Sequence, residues 1–239
     1  EEVQAAMTQF RDILKAGKDV AFVVKKGALS TDVTVKYQNP YQMLREEIIR
    51  HIVKASGEDP VICTTGKASR ELFETRASDG QSHRYDFLTV GSMGHSSSIA
   101  LGVALNKPDT KIWCIDGDGA VLMHMGAMAV IGASAPENMV HVVINNEAHE
   151  TVGGMTTVAG SIDLPAIAKA CGYPHAVSVD NFEDLDRELT CAKAENRLCL
   201  IEVKCSVGAR ADLGRPTTTA LQNKQNFMDY LKEIIFFHF

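Results

Sequence analysis

Short apolar runs alternate with amphipathic segments along most of the chain. Strand-like runs fall at 61–64, 87–90, 112–116, 141–145, 175–179 and 199–204, and apolar positions at helical spacing mark 67–77, 95–106, 120–133, 163–171 and 182–195. Ahead of these, 1–16 reads as a helix and 20–24 as a strand, while 25–38 has no clear period and reads as a linker. Asn39-Pro40 reads as an N-cap followed by proline at the first helical position, opening a helix through about Lys54. Asp163-Leu164-Pro165 and Gly172 bracket a later helix in the same way. A last amphipathic segment runs from about Leu221 to the apolar end at 234–239, which would either pack on the sheet or offer a contact surface.

Six strands alternating with helices imply parallel βαβ units. The expected fold is α/β: a three-layer α/β/α sandwich around a six-stranded, mostly parallel sheet, with ligands beyond the carboxyl ends of the strands. The helix and strand at 1–24 fall outside this count and read as the remnant of a preceding α/β unit. The expected division is then 1–24, a linker at 25–38, and a main domain at 39–239 with a tail at 206–239.

Composition narrows the function classes. The chain has 239 residues, 45% of them hydrophobic and 23% charged, and a formal charge of −6 from 24 Lys+Arg against 30 Asp+Glu. There is no basic excess of the kind nucleic-acid binders carry, and no apolar run of the ~18 residues that a membrane helix needs. Neither a nucleic-acid nor a membrane partner is therefore expected. The start, Glu1-Glu2, is unlike a signal peptide and lacks Met, so a preceding segment is expected to have been removed or never included. Six cysteines without a C-x-x-C pair read as free thiols of a cytoplasmic protein rather than as a zinc or iron–sulfur site.

The segment 111–120 carries the chemistry. A buried-looking strand runs into Gly117-Asp118-Gly119-Ala120 and then directly into a helix. Asn146, of the pair Asn145-Asn146, stands 28 residues after Asp118, at the end of the next strand. Two adjacent parallel strands would thus deliver a carboxylate and a carboxamide to one sheet edge, both hard oxygen donors of the kind Mg²⁺ or Ca²⁺ prefers. The glycines allow close backbone approach, and a helix start near Ala120 would offer N–H groups to a phosphate. A diphosphate bridged by Mg²⁺ would suit this arrangement. The dinucleotide motif fails because Leu122 stands where glycine is needed, and a P-loop fails because Ala68 follows Gly66-Lys67.

Gly117-Asp118-Gly119-Ala120 with Asn145-Asn146 resembles the signature of thiamine diphosphate enzymes. The resemblance implies thiamine diphosphate and Mg²⁺ as cofactors, the metal held by the side chains of Asp118 and Asn146 and the carbonyl of Ala148. Val90-Gly91-Ser92-Met93-Gly94 resembles the stretch that grips the aminopyrimidine in the decarboxylases. Gly91 would accept from the amino group through its carbonyl, and Met93 would prop the bent cofactor. Gly66, Lys67, Ser92, His95 and Thr151 are expected at the cofactor as well, Lys67 departing from the hydroxyl residue common there.

Stretches 64–74, 90–102, 117–126, 145–154 and 210–219, the last containing Asp212-Leu213-Gly214-Arg215-Pro216, are similar to the phosphonopyruvate decarboxylases. That likeness implies non-oxidative decarboxylation of 3-phosphonopyruvate to phosphonoacetaldehyde and CO₂. It also implies a small anionic 2-oxo acid substrate met by Arg210 and Arg215, and His149 or Glu150 as proton donor or acceptor. The pyruvate decarboxylase type places its glutamate where this chain has Val152, so that role is not carried over. A ring-activating glutamate is implied from a pyrimidine-binding domain of the same or a neighbouring subunit, in a homo-oligomer. The chain alone is expected to be inactive. A sulfopyruvate decarboxylase subunit and a non-catalytic thiamine diphosphate-binding module are the alternatives; oxoacid:ferredoxin oxidoreductases would carry grouped cysteines.

Overall fold

A computed structural model describes residues 2–30 and 37–234. It divides into two compact units, 1–34 and 35–239. The first contains α1 (Glu2–Lys15), in which no residue is buried, and an edge-to-face pair of Phe10 and Phe22. The strand expected at 20–24 is irregular backbone, with Val23 89% exposed. An extended segment gains little without a neighbour to complete its hydrogen bonds.

The second unit runs α2 (Arg45–Ser56), β1 (Val61–Cys63), α3 (Lys67–Ser78), β2 (Asp86–Leu88), α4 (Ser96–Asn106), β3 (Ile112–Gly117), α5 (Asp118–Met123), α6 (Gly126–Ser134) and β4 (Met139–Asn145). It continues through β5 (Ala148–His149), β6 (Met155–Thr156), α7 (Leu164–Ala170), β7 (His175–Val179), α8 (Phe182–Ala194), β8 (Cys199–Lys204) and α9 (Ala220–Glu233). Six strands form one wholly parallel sheet in the order β2-β1-β3-β4-β8-β7. Both faces are covered, which is why the inner strands β1, β3, β4 and β8 read as mostly apolar runs. Trp113 and Ile115 of β3 face a core built with α2, α3 and α8, while Ile112 and Cys114 face one built with α4, α6, α7 and α9. Four cysteines (63, 114, 199 and 205) are buried and all six are unpaired. No described helix is long and apolar enough to cross a membrane.

The sequence misplaces two helix boundaries. Asn39 caps no helix, which begins only at Arg45; its side-chain amide donates instead to the carbonyls of Asn146 and Cys205, 2.9 Å to each. Two buried carbonyls at the strand ends compete successfully for the group that a free helix would have used. The helix expected over 120–133 starts earlier, at Asp118, and breaks between Met123 and Gly126. The break lies where Gly94 approaches, since a Cβ there would fall 2.8 Å from the carbonyl oxygen of Ala120 and 3.0 Å from Cβ of His124. Residues 235–239 of the apolar end lie outside the described residues, as do 31–36 of the expected linker.

Arg76 and Asp86 form a fork-to-fork ion pair, both buried, with Arg76 also donating to the Gly57 carbonyl. Arg76→Met would leave Asp86 buried without its cation, at a cost of about 3–5 kcal/mol. Urea unfolding should show that loss as a lower midpoint at unchanged slope.

Candidate functional site

The chain passes from β1 to β2 on one side and then to β3 on the other, so the connections after β1 and β3 diverge. A crevice opens at such a switch point, beyond the carboxyl ends. Here it is a small cleft of about 70 Å³, lined by Thr64, Thr65 and Lys67 after β1, by 116–120 at the end of β3 and the start of α5, by Asn146, Ala148, His149, Glu150 and Thr151 after β4, and by Met93 and Arg45. Most residues singled out by sequence therefore meet in one place. Gly66 sits at the cleft's first loop with φ +104, and a Cβ there would lie 3.2 Å from Thr151 Cγ2. Gly119 packs so closely that a Cβ would fall 2.7 Å from the His149 ring and 3.3 Å from the Met93 methyl.

Gly91, Ser92 and His95 are exposed at the turn preceding α4 and do not line the cleft. Gly91 (φ +68), Ser92 (φ +41) and Gly94 (φ +90) all adopt left-handed backbone there. For Ser92 that conformation costs roughly 1–2 kcal/mol, and strain of this kind gathers at functional sites. Arg210 and Arg215 also lie outside the lining. Arg210 pairs with Glu46, Glu74 and Asp212, and Arg215 is exposed.

Register places the two metal-ligand candidates side by side: Gly117 pairs with Ile144, so Asp118 and Asn146 follow at the ends of adjacent parallel strands. Asp118 is 3% exposed. Burial raises its carboxyl above the usual aspartate range, while a 2.5 Å bond from the Thr157 hydroxyl pulls the other way. The Asn146 carboxamide is fixed at both ends: its oxygen accepts from the Ala148 N–H (3.1 Å) and its nitrogen donates to Glu150 (2.8 Å). A buried carboxylate beside an oriented amide oxygen is a donor set that suits a hard divalent cation.

Sequence reasoning missed several groups here. Arg45, buried at the start of α2, donates to Glu71 (2.7 and 2.9 Å), to Glu150 and to the Gly208 carbonyl. A cation opening a helix opposes the dipole, which is the one signal that could have marked it. Thr157 was missed because the β5–β6 hairpin that brings it to Asp118 has only two residues per strand. Glu147 takes left-handed backbone (φ +59), and its carboxylate accepts from the hydroxyls of Tyr37 (2.5 Å) and Tyr41 (2.9 Å). Burial and Glu147 push both phenols up to about 12, so they stay donors.

Residues 64–203 match the family described as "Thiamine pyrophosphate enzyme, C-terminal TPP binding domain". The chain is 39% identical over 171 residues to a phosphonopyruvate decarboxylase of Streptomyces viridochromogenes, covering 72% of this chain but only 42% of that protein. It is 36% identical over 162 residues to the sulfopyruvate decarboxylase subunit beta of Methanocaldococcus jannaschii, covering 67% of this chain and 82% of the subunit. A structure described as "a putative thiamin diphosphate-dependent enzyme isolated from Mycobacterium smegmatis" shares the fold at a TM-score of 0.57, with 19% identity, over 70% of this chain and 32% of the other. The chain thus belongs to the thiamine pyrophosphate enzymes and carries their C-terminal cofactor-binding domain.

Proposed function

We propose that this chain is the diphosphate-binding part of a thiamine diphosphate- and Mg²⁺-dependent decarboxylase that converts 3-phosphonopyruvate to phosphonoacetaldehyde and CO₂. The observation that carries the reading is the cleft at the switch point, where Asp118 and Asn146 end neighbouring strands inside the matched region 64–203. Asp118 and Asn146, with the Ala148 carbonyl, would hold the metal. Gly66, Lys67, Thr151 and 117–120 would receive the diphosphate, with Gly91, Ser92, Met93 and His95 on the thiamine side. Bound thiamine diphosphate supplies the electron sink for the charge left as CO₂ departs. His149, which lines the cleft with its ring packed against Gly119, would move a proton at the reacting end. Arg210 and Arg215 are the proposed anion ligands, guanidinium forks matching phosphonate and carboxylate.

Residues 1–24 are read as the end of a pyrimidine-binding domain, and such a domain, from the same or a neighbouring subunit, as the source of the ring-activating glutamate. Sulfopyruvate is the second substrate reading, favoured by the beta-subunit relatives that this chain covers over most of their length. Side-by-side assay of the two oxo acids separates them.

Cation binding gives a test that needs no turnover. A carboxyl raised by burial is held protonated to a higher pH than in the unfolded chain, so without metal Asp118 subtracts stability as pH rises through its folded pKa. Mg²⁺ and the proton compete for the same oxygens. Mg²⁺ affinity, measured by calorimetry with thiamine diphosphate present, should therefore climb as pH rises through the Asp118 titration and then level. Equal affinity across the whole range would contradict Asp118 as a ligand.

A further inference from the structure

Glu150 was expected as a proton donor or acceptor, yet its surroundings suit another task. Its side chain is 10% exposed and receives four donors. One oxygen takes the Arg45 guanidinium and the Asn146 amide nitrogen (2.8 Å); the other takes the Gly208 N–H (2.6 Å) and Lys67 Nζ (3.4 Å). A carboxylate so occupied is an acceptor only, and its acceptor character decides which end of the Asn146 carboxamide turns toward it. The nitrogen must face Glu150, which leaves the amide oxygen turned to the Ala148 N–H, with a second lone pair free.

We infer that Glu150 is a positioning residue: through its bond to the Asn146 nitrogen it presents the Asn146 oxygen to the metal, and through Gly208 and Arg45 it ties the segment after β8 to that ligand. The inference rests on the proposed metal site. Arg45 strengthens the link because it donates to Glu150 and to the Gly208 carbonyl at once (3.2 Å to the latter). The partners that orient a metal ligand typically contribute about 10–100-fold to metal affinity.

The test is Mg²⁺ titration of the whole chain by calorimetry at saturating thiamine diphosphate, with circular dichroism to verify folding. Glu150→Gln offers the Asn146 nitrogen an amide that can turn either way, and should weaken Mg²⁺ binding about 10–100-fold. Glu150→Asp keeps the charge beside Arg45 but withdraws the oxygens by one methylene. Positioning predicts a loss in this variant too, whereas simple charge balance predicts wild-type affinity. It also serves if Glu150→Gln does not fold. In an Asn146→Ala background neither change should weaken binding further.

Wild-type affinity in Glu150→Asp, or additive losses in the double variants, would overturn the inference. If Asp118→Asn and the wild type bind Mg²⁺ alike, the metal site itself fails and the inference goes with it. If Asp118→Asn weakens binding and the Glu150 variants do not, only the role of Glu150 fails.

Discussion

Asp118→Asn in this chain is expected to lose Mg²⁺-dependent binding of thiamine diphosphate by roughly 100-fold or more, beyond the 10–100-fold that a ligand's supporting partner contributes. The substitution keeps the shape and an oxygen for the Thr157 hydroxyl but removes the charge that a hard cation requires. Stability should move the other way. Asp118 is buried and its ionised form is disfavoured there, so the variant should melt no lower than the wild type at pH 7 in the absence of metal. Loss of binding together with an unchanged or raised Tm assigns the effect to the site. A collapsed Tm would make Asp118 a structural residue, and unchanged binding would remove it from the metal.

The second large effect lies far from the chemistry. Gly132 in α6 packs directly on the backbone after α7, where an added Cβ would overlap the carbonyl carbon and oxygen of Cys171 and press on the Gly172 nitrogen. Backbone cannot rotate away as a side chain does, so Gly132→Ala must push the two helices apart. Overpacking of this kind costs about 1–3 kcal/mol and occasionally more; the upper end is expected here. At roughly 2–4 °C per kcal/mol for a chain of this size, Tm should fall by about 6–12 °C. Thiamine diphosphate binding by the fraction still folded should be near normal, since the contact lies outside the cleft lining. A Tm within 1–2 °C of wild type would show that α6 and α7 are not held together as described.

The fold was legible because its signals are local and repeated. A strand buried on both faces must be largely apolar, and the four inner strands β1, β3, β4 and β8 appear in the sequence as such runs, while the edge strands β2 and β7 are mixed. The metal-site candidates were legible for a related reason: a parallel sheet puts successive strand ends at one edge, so Asp118 and Asn146 needed only their positions after two strands to be paired. What escaped depended on contacts between residues distant in sequence. The amide of Asn39 reads as a helix cap until the carbonyls of Asn146 and Cys205 are seen beside it. Arg45 reads as one of many charges on an amphipathic helix, and only folding places it against Glu71 and Glu150. The strand expected at 20–24 failed because alternating hydrophobicity states what a segment would do with a neighbour, and the first unit pairs it with none among its described residues. The ion pairs of Arg210 with Glu46 and Glu74 likewise join residues distant in sequence, and its motif gives no sign of them.

The proposed function has these residues hold the cofactor of a phosphonopyruvate decarboxylase whose pyrimidine-activating carboxylate would come from another domain. The direct measurement is aldehyde release from phosphonopyruvate and sulfopyruvate, in parallel, by this chain with thiamine diphosphate and Mg²⁺, before and after addition of a pyrimidine-binding-domain polypeptide. The expected result is no turnover by the chain alone, phosphonoacetaldehyde once the partner is added, and loss of that activity in Asp118→Asn. Robust turnover by the chain alone, or turnover of sulfopyruvate only, would contradict the account.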